Sequence, residues 1–239
     1  MDNEGFYKLV EESRRIPKTS QPSPHQFVEF YKKIAQKGDT ILSIHITSKL
    51  SGTYASCIAA AEEVKDDFKV IPIDSALGSL GIGILCREAR KMERAGKSIE
   101  EIVKRIEDVK KRSRVILTLD TLEYAKMSGR VKTLQAALAS VLNVKPIAVL
   151  RDGDLKMEER VRTRKAALDR VVEMAKNEYG DTPVILAVVH ARDPKSGEGL
   201  LEEAKKHFNY TEALMGELGI SIAANLGPGT VGLIIIPAA

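Results

Sequence analysis

Apolar positions along this chain switch between two periods. Phe27, Phe30, Tyr31 and Ile34 recur at helical spacing behind Ser23-Pro24, a capping hydroxyl followed by proline in the first turn. The spacing predicts a helix there that ends by Gly38. The run 40–46 is β-rich and apolar. It passes through Thr47-Ser48-Lys49-Leu50-Ser51-Gly52-Thr53 into an alanine-rich helix over 53–64. A second strand is predicted at 68–73, helices at 79–95 and 99–111, and a third strand at 115–119. Ser98 with Glu101 forms a capping box for the second of those helices.

Strands alternating with helices of this length imply a parallel sheet. In such sheets, sites form beyond the carboxyl ends of the strands, where the loops after Ile46 and Ile73 lie. The second half reads differently. Runs 144–150 and 155–159 flank Asp152-Gly153, a hairpin signal. A helix over 163–177, a strand over 184–189 and a helix over 195–207 follow. Short strands at 209–214, 220–224 and 231–235 complete the reading. The expected fold class is α/β with two domains. Residues 1–129 carry a parallel sheet with flanking helices. Residues 130–239 form a second α/β domain with a mixed or antiparallel sheet. The boundary falls near Gly129, and neither repeats nor a proline-rich linker interrupt the chain.

Composition narrows the function classes. Of 239 residues, 44% are hydrophobic and 5% aromatic, with no tryptophan, so the core must be mostly aliphatic. The net charge of +4 comes without an aromatic-interleaved basic stripe and does not point to nucleic acid. Lys110, Lys111 and Arg112 read as a solvated helix end that complements the macrodipole. Cys57 and Cys86 are isolated, which suits a reducing cytoplasm better than a disulfide framework. No run reaches the ~18 apolar residues that a spanning helix needs, so no integral membrane association is expected. The start of the chain is acidic and polar, unlike a signal peptide.

Common catalytic signatures are missing: there is no G-x-S-x-G, P-loop, G-x-G-x-x-G or H-E-x-x-H. The four histidines show no ligand spacing, and no metal is expected. Clustered hydroxyls stand out instead. Thr19-Ser20-Gln21-Pro22-Ser23-Pro24 is a proline-braced loop; a helix cap explains Ser23 but not Thr19 or Ser20. Ser51 lies on a strand-to-helix turn, as an N-cap or as an anion ligand. Asp74-Ser75 ends the next strand. Each alone reads as structural; together, at one sheet edge, they point to a site for a small anionic group. Gly227-Pro228-Gly229 is either a tight turn or a close backbone approach to a ligand.

These strings together resemble the DegV family of bacterial fatty-acid-binding proteins. The resemblance rests on Lys18 to Ser23, Ser48 to Tyr54, and Asp74-Ser75 with Ser79 and Gly81. It continues through Leu122-Glu123-Tyr124, Gly129-Arg130-Val131, Lys145-Pro146, Asp152-Gly153 and Val161-Arg162. Val189-His190-Ala191 and Gly227 to Gly232 complete it. The resemblance implies two α/β domains with one long-chain fatty acid buried between them. It implies a carrier that needs no cofactor and catalyses nothing, with a fatty acid kinase as candidate partner. Thr19 and Ser51 match hydroxyls that receive the carboxylate, with Ser20 beside them. Gly52, Asn225 and Gly227 complete the implied ligand-binding set. Arg130 and Arg162 match arginines at the ligand mouth, where a kinase would dock. Family members begin with a strand and an Asp-Ser-Thr-Ala-Asp-like loop that this sequence lacks. Asn225 stands where the family usually has histidine, and Ser128 replaces the first glycine of a Gly-Gly-Arg string.

Burying a methylene yields ~0.8 kcal/mol, so a long acyl tail supplies on the order of 10 kcal/mol before binding costs. Alanine-rich stretches near 55–61 and 136–139 leave room for a narrow tunnel or serve tight helix–sheet packing. Two rivals stay open. One is an acyl- or phosphoryl-transfer enzyme with Ser51 as nucleophile and Lys49 or His190 as base. The other is a truncated, ligand-free structural unit.

Overall fold

The computed structural model describes residues 1–129 and 144–238. The chain runs α1 (Asn3–Ser13), α2 (Pro24–Ile34), β1 (Thr40–His45), α3 (Thr53–Glu63), β2 (Lys69–Asp74), α4 (Leu80–Arg94), α5 (Ile99–Arg112), β3 (Arg114–Thr118) and α6 (Glu123–Ser128). After the undescribed stretch come β4 (Lys145–Arg151), β5 (Asp154–Val161), α7 (Arg164–Tyr179), β6 (Val184–His190), α8 (Pro194–His207), β7 (Tyr210–Glu217), α9 (Ile220–Leu226) and β8 (Val231–Pro237).

The strands form two sheets. β1 and β2 pair in parallel as a two-stranded sheet. The other six form a mixed sheet in the order β5-β4-β3-β8-β6-β7, in which only β6 and β7 pair in parallel. This is the α/β class expected, with a small parallel sheet and a larger mixed one. Local signals set several boundaries. The Ser23 hydroxyl accepts from the Gln26 amide while Gln26 closes the box on the Ser23 amide, and Ser98 and Glu101 do the same for α5. Asp152 and Gly153, with φ of 52° and 78°, make the left-handed two-residue turn that joins β4 to β5.

Four features depart from the sequence reading. β3 does not extend the first sheet: it pairs antiparallel with both β4 and β8. Four of its five side chains are buried, so it needs cover on both faces, and the interior of the large sheet supplies it. Residues 220–224, read as a strand from Ile220 and Ile222, belong to helix α9. There Ala223 and Leu226 bury one face, and packing overrides β-propensity. The first helix, α1, lies in a stretch read only as acidic and polar. Asp2 caps it, and Phe6, Tyr7 and Val10 bury its inner face. Finally, α2 stops at Ile34, and Gly38, with φ of 94°, serves the turn into β1.

The large sheet separates two cores. On one face, Val171, Ala175, Leu200 and Ala204 of α7 and α8 meet Ile116, Val149, Leu186 and Leu233. On the other, α4, α5, α9 and α1 pack over Val115, Leu117, Val189 and Ile234. The small sheet has its own cluster, where Val28 and Tyr31 of α2 meet Cys57, Ala60, Val64 and Phe68.

Candidate functional site

A cavity of about 440 Å³ lies between the small sheet and the second face of the large one. Its volume falls within the range of sites for small organic ligands. The floor is aliphatic. Strand alternation turns Val115, Leu117, Val189 and Ile234 into it, with Leu150 and Leu155 beside them. Leu150 and Leu155 face each other across the β4–β5 hairpin, and Leu150 is the register partner of Val115. The rim is polar. Thr19, Ser20 and Gln21 come from the loop before α2, Ser51 from the β1–α3 turn, Thr53 from the first position of α3, and Asn225 from α9.

The turn after β1 is held from both sides. The buried Thr47 hydroxyl donates to the Gly153 carbonyl at 2.8 Å, which joins the turn to the hairpin tip. A Cβ on Gly153 would come within 2.4 Å of that hydroxyl, so both the positive φ and the close approach require glycine. Asp74 accepts from the amides of Ser48, at 3.2 Å, and Ala76, at 2.9 Å. The buried Ser75 hydroxyl accepts from the Leu77 amide at 3.0 Å. Asp74 and Ser75 therefore shape the rim loops without lining the cavity.

Of the residues expected to meet a ligand, Thr19, Ser20, Ser51 and Asn225 line the cavity together. The Asn225 amide donates to the Thr19 hydroxyl at 3.5 Å and to the Ser221 carbonyl at 2.6 Å. Ser51 and Thr53 share a hydrogen bond of 2.8 Å, and the Ser51 hydroxyl also accepts from the Thr53 amide at 3.3 Å. Gly52 does not line the cavity; it packs against the Gln21 amide group. Nor does Gly227, whose φ of 85° ends α9 and whose hypothetical Cβ would meet the Tyr124 ring at 2.8 Å. The close approach read into Gly227-Pro228-Gly229 is made to the chain itself. Arg162 is exposed just after β5. Arg130 and the alanines at 136–139 lie outside the described residues.

Neither base considered for Ser51 lines the cavity. Lys49 is exposed. On β6, Ile185, Ala187 and Val189 face the cavity side while Val184, Leu186 and Val188 face α7 and α8. His190 continues the second series and lies against Gly197 of α8, on the far side of the sheet.

The floor residues carried no distinguishing mark in the sequence. Period-two alternation could have assigned Val115 and Leu117 to one face, but not shown that this face borders open space. Below the rim, Tyr31 bonds Ser43 at 2.8 Å and Cys57 at 3.1 Å, and Ser43 bonds His45 at 2.8 Å. Burial holds the His45 imidazole below its ordinary pKa and, with the Cys57 contact, raises the Tyr31 phenol. Among the described residues no cluster of His, Cys, Asp or Glu could hold a metal, and no helix is long and apolar enough to cross a membrane.

The sequence profile described as "Uncharacterised protein, DegV family" matches residues 1–238. Protein DegV of Bacillus subtilis is 32% identical over 235 residues, covering 98% of this chain and 83% of that one. A fatty acid-binding protein of Thermotoga maritima is 31% identical over 231 residues, covering 95% and 80%. The structure of a fatty-acid-binding DegV family protein from Thermus thermophilus superposes with a TM-score of 0.92 at 30% identity, covering 100% of this chain and 85% of that one. Profile, relatives and fold agree over nearly the whole length, and the chain belongs to the DegV family.

Proposed function

We propose that this protein is a carrier that buries one long-chain fatty acid in the cavity between its two sheets. The observation that carries the reading is the pairing of an aliphatic floor with a rim of hydroxyls and amides, in one cavity large enough for an organic ligand. Fatty-acid binding by its relatives in Thermotoga maritima and Thermus thermophilus supports it. The tail supplies affinity, on the order of 10 kcal/mol before binding costs. Thr19 and Ser51 orient the carboxylate, each hydrogen bond to a charged group contributing roughly 1.5–3 kcal/mol. Ser20 and Asn225 flank them; Gly52 and Gly227 act indirectly, by fixing Gln21 and the end of α9.

In this reading residues 1–129 and 130–239 are two α/β units with the ligand between them, the first lending β3 to the sheet of the second. The protein performs no chemistry and presents the carboxylate to a fatty acid kinase that docks at the mouth through Arg130 and Arg162. Two lone cysteines, Cys57 and Cys86, fit residence in a reducing cytoplasm. Placement of His190 behind the sheet does not favour Ser51 as a nucleophile. Organic extraction of the purified protein followed by mass spectrometry tests the proposal. It predicts recovery of fatty acids of roughly 14–18 carbons. Recovery of none, with none bound after incubation with palmitate, would favour a ligand-free structural unit.

A further inference from the structure

We propose that residues 14–22 are a strap that closes the cavity and that α1, moored by Arg192, holds it shut. This inference rests on the binding role proposed above and concerns how the ligand enters and leaves.

The strap supplies four consecutive lining residues, Thr19 to Pro22. Yet Arg14, Arg15, Pro17, Lys18, Ser20, Gln21 and Pro22 are all exposed. A single thickness of chain therefore separates the cavity from water at this point. Pro17 and Pro22 have no amide hydrogen to donate, which limits how firmly the segment can be bonded down. Segments so thinly covered open at low free-energy cost.

Its two ends are fixed in different cores. Downstream, the Ser23 capping box starts α2, whose Val28 and Tyr31 belong to the cluster of the small sheet. Upstream, Phe6, Tyr7 and Val10 of α1 pack into the core on the cavity side of the large sheet, with Leu218 and Tyr124. Asn3 donates to the Leu218 carbonyl at 3.1 Å. Arg192, just beyond β6, is bonded to Glu4 at 2.9 Å and to Glu11, and its guanidinium stands 5.4 Å from the centre of the Tyr7 ring. It does this at a φ of 54°, a left-handed conformation that a non-glycine residue keeps only where its surroundings hold it there. Arg14, where α1 ends, is also left-handed, at φ 53°, and turns the chain into the strap. Across the mouth, the Asn225 amide reaches Thr19 at 3.5 Å, the outer limit of a hydrogen bond. The strap is thus fixed in a core at each end; between them Ile16 packs against the cavity-side core while the exposed remainder lies over the cavity, a thin cover of the kind that opens to pass a ligand.

Arg14, Arg15 and Lys18 place three trypsin sites within the strap, so its opening can be read directly. Delipidated protein, with and without saturating palmitate, is digested briefly, and the cut sites are identified by mass spectrometry. Palmitate binding and its dissociation rate are measured in parallel by displacement of a fluorescent fatty acid. The first cuts should fall after Arg14, Arg15 or Lys18 and slow at least about tenfold with palmitate. Arg192→Ala should speed dissociation roughly three- to tenfold, as expected for loss of partly exposed ion pairs. The surface double variant Glu4→Ala with Glu11→Ala removes both ion pairs of the same clasp should Arg192→Ala fail to fold, and should do likewise. Palmitate that binds without protecting these sites, or a dissociation rate unchanged when the clasp is removed, overturns the strap while leaving the carrier reading intact. Absence of palmitate binding to the unmodified protein overturns both.

Discussion

The two faces of the large sheet are built from the same strands and the same residue types, yet one is filled throughout and the other, though partly covered by helices, borders a cavity and is in that sense hollow. Towards α7 and α8, Ile116, Leu186, Val188 and Leu233 are 0–1% exposed and interlock with helix side chains. Towards the small sheet, their immediate neighbours Val115, Leu117, Val189 and Ile234 are also buried, at 1–6% exposed, but line the cavity as well as the helix-covered core. A well-packed face has no spare volume, so any change in side-chain size is felt. A face that borders a cavity loses less when trimmed and has room when enlarged. The filled face thus acts as the rigid backing that keeps the hollow one open.

Adjacent residues on one strand make the difference measurable. The largest expected effect is Leu233→Ala, on the filled face, which should lower stability by about 3–5 kcal/mol in chemical denaturation. Ile234→Ala, one residue on, should cost less, about 2 kcal/mol, because its side chain, though buried, borders the cavity on one side. Equal losses would break the distinction. Enlargement should invert the functional outcome. Ile116→Phe overpacks the filled face at a cost of about 1–3 kcal/mol and leaves ligand uptake intact. Val115→Phe should fold with stability nearly unchanged and take up little acyl ligand, measured by palmitate binding.

At the rim, Thr19→Ala and Ser51→Ala should each weaken palmitate binding about tenfold without unfolding the protein. Unchanged retention in the double variant would remove the orienting role given to these hydroxyls. The smallest effect belongs to the small sheet. Burial depresses the His45 pKa, so the unfolded chain binds its proton more readily than the folded one does. Its contribution is therefore complete above about pH 6.5, the unfolded value, and declines as pH falls through it. His45→Gln should flatten that decline in denaturation curves between pH 7.5 and 5. The contrast between Leu233→Ala and Ile234→Ala should be the same at both pH values, because it comes from packing.

Local chemistry was legible in the sequence wherever a few neighbouring residues decide the outcome. Ser23 with Gln26, Ser98 with Glu101 and Asp152-Gly153 set their caps and turn as their types dictate. Thr19, Ser20, Ser51 and Asn225 could be placed at one rim because the family strings mark them. Long-range partners were not legible. The apolar run at 115–119 fits either sheet, and only its pairing with β4 and β8 decides. The alternation Ile220-Ser221-Ile222 looks like a strand until Ala223 and Leu226 find the core. The hollow face escaped for the same reason: valine and isoleucine look alike whether they meet a neighbour or a void. The family resemblance marks Gly227 as a ligand contact, yet its close neighbour is Tyr124, far away in the sequence.

Native mass spectrometry of the purified protein tests the central claim most directly. One fatty acid per chain on the unmodified protein, lost in Val115→Phe and kept in Ile116→Phe, is the predicted result. A chain that carries no acyl ligand, or one whose ligand persists undiminished in Val115→Phe, would contradict a fatty acid seated on the hollow face.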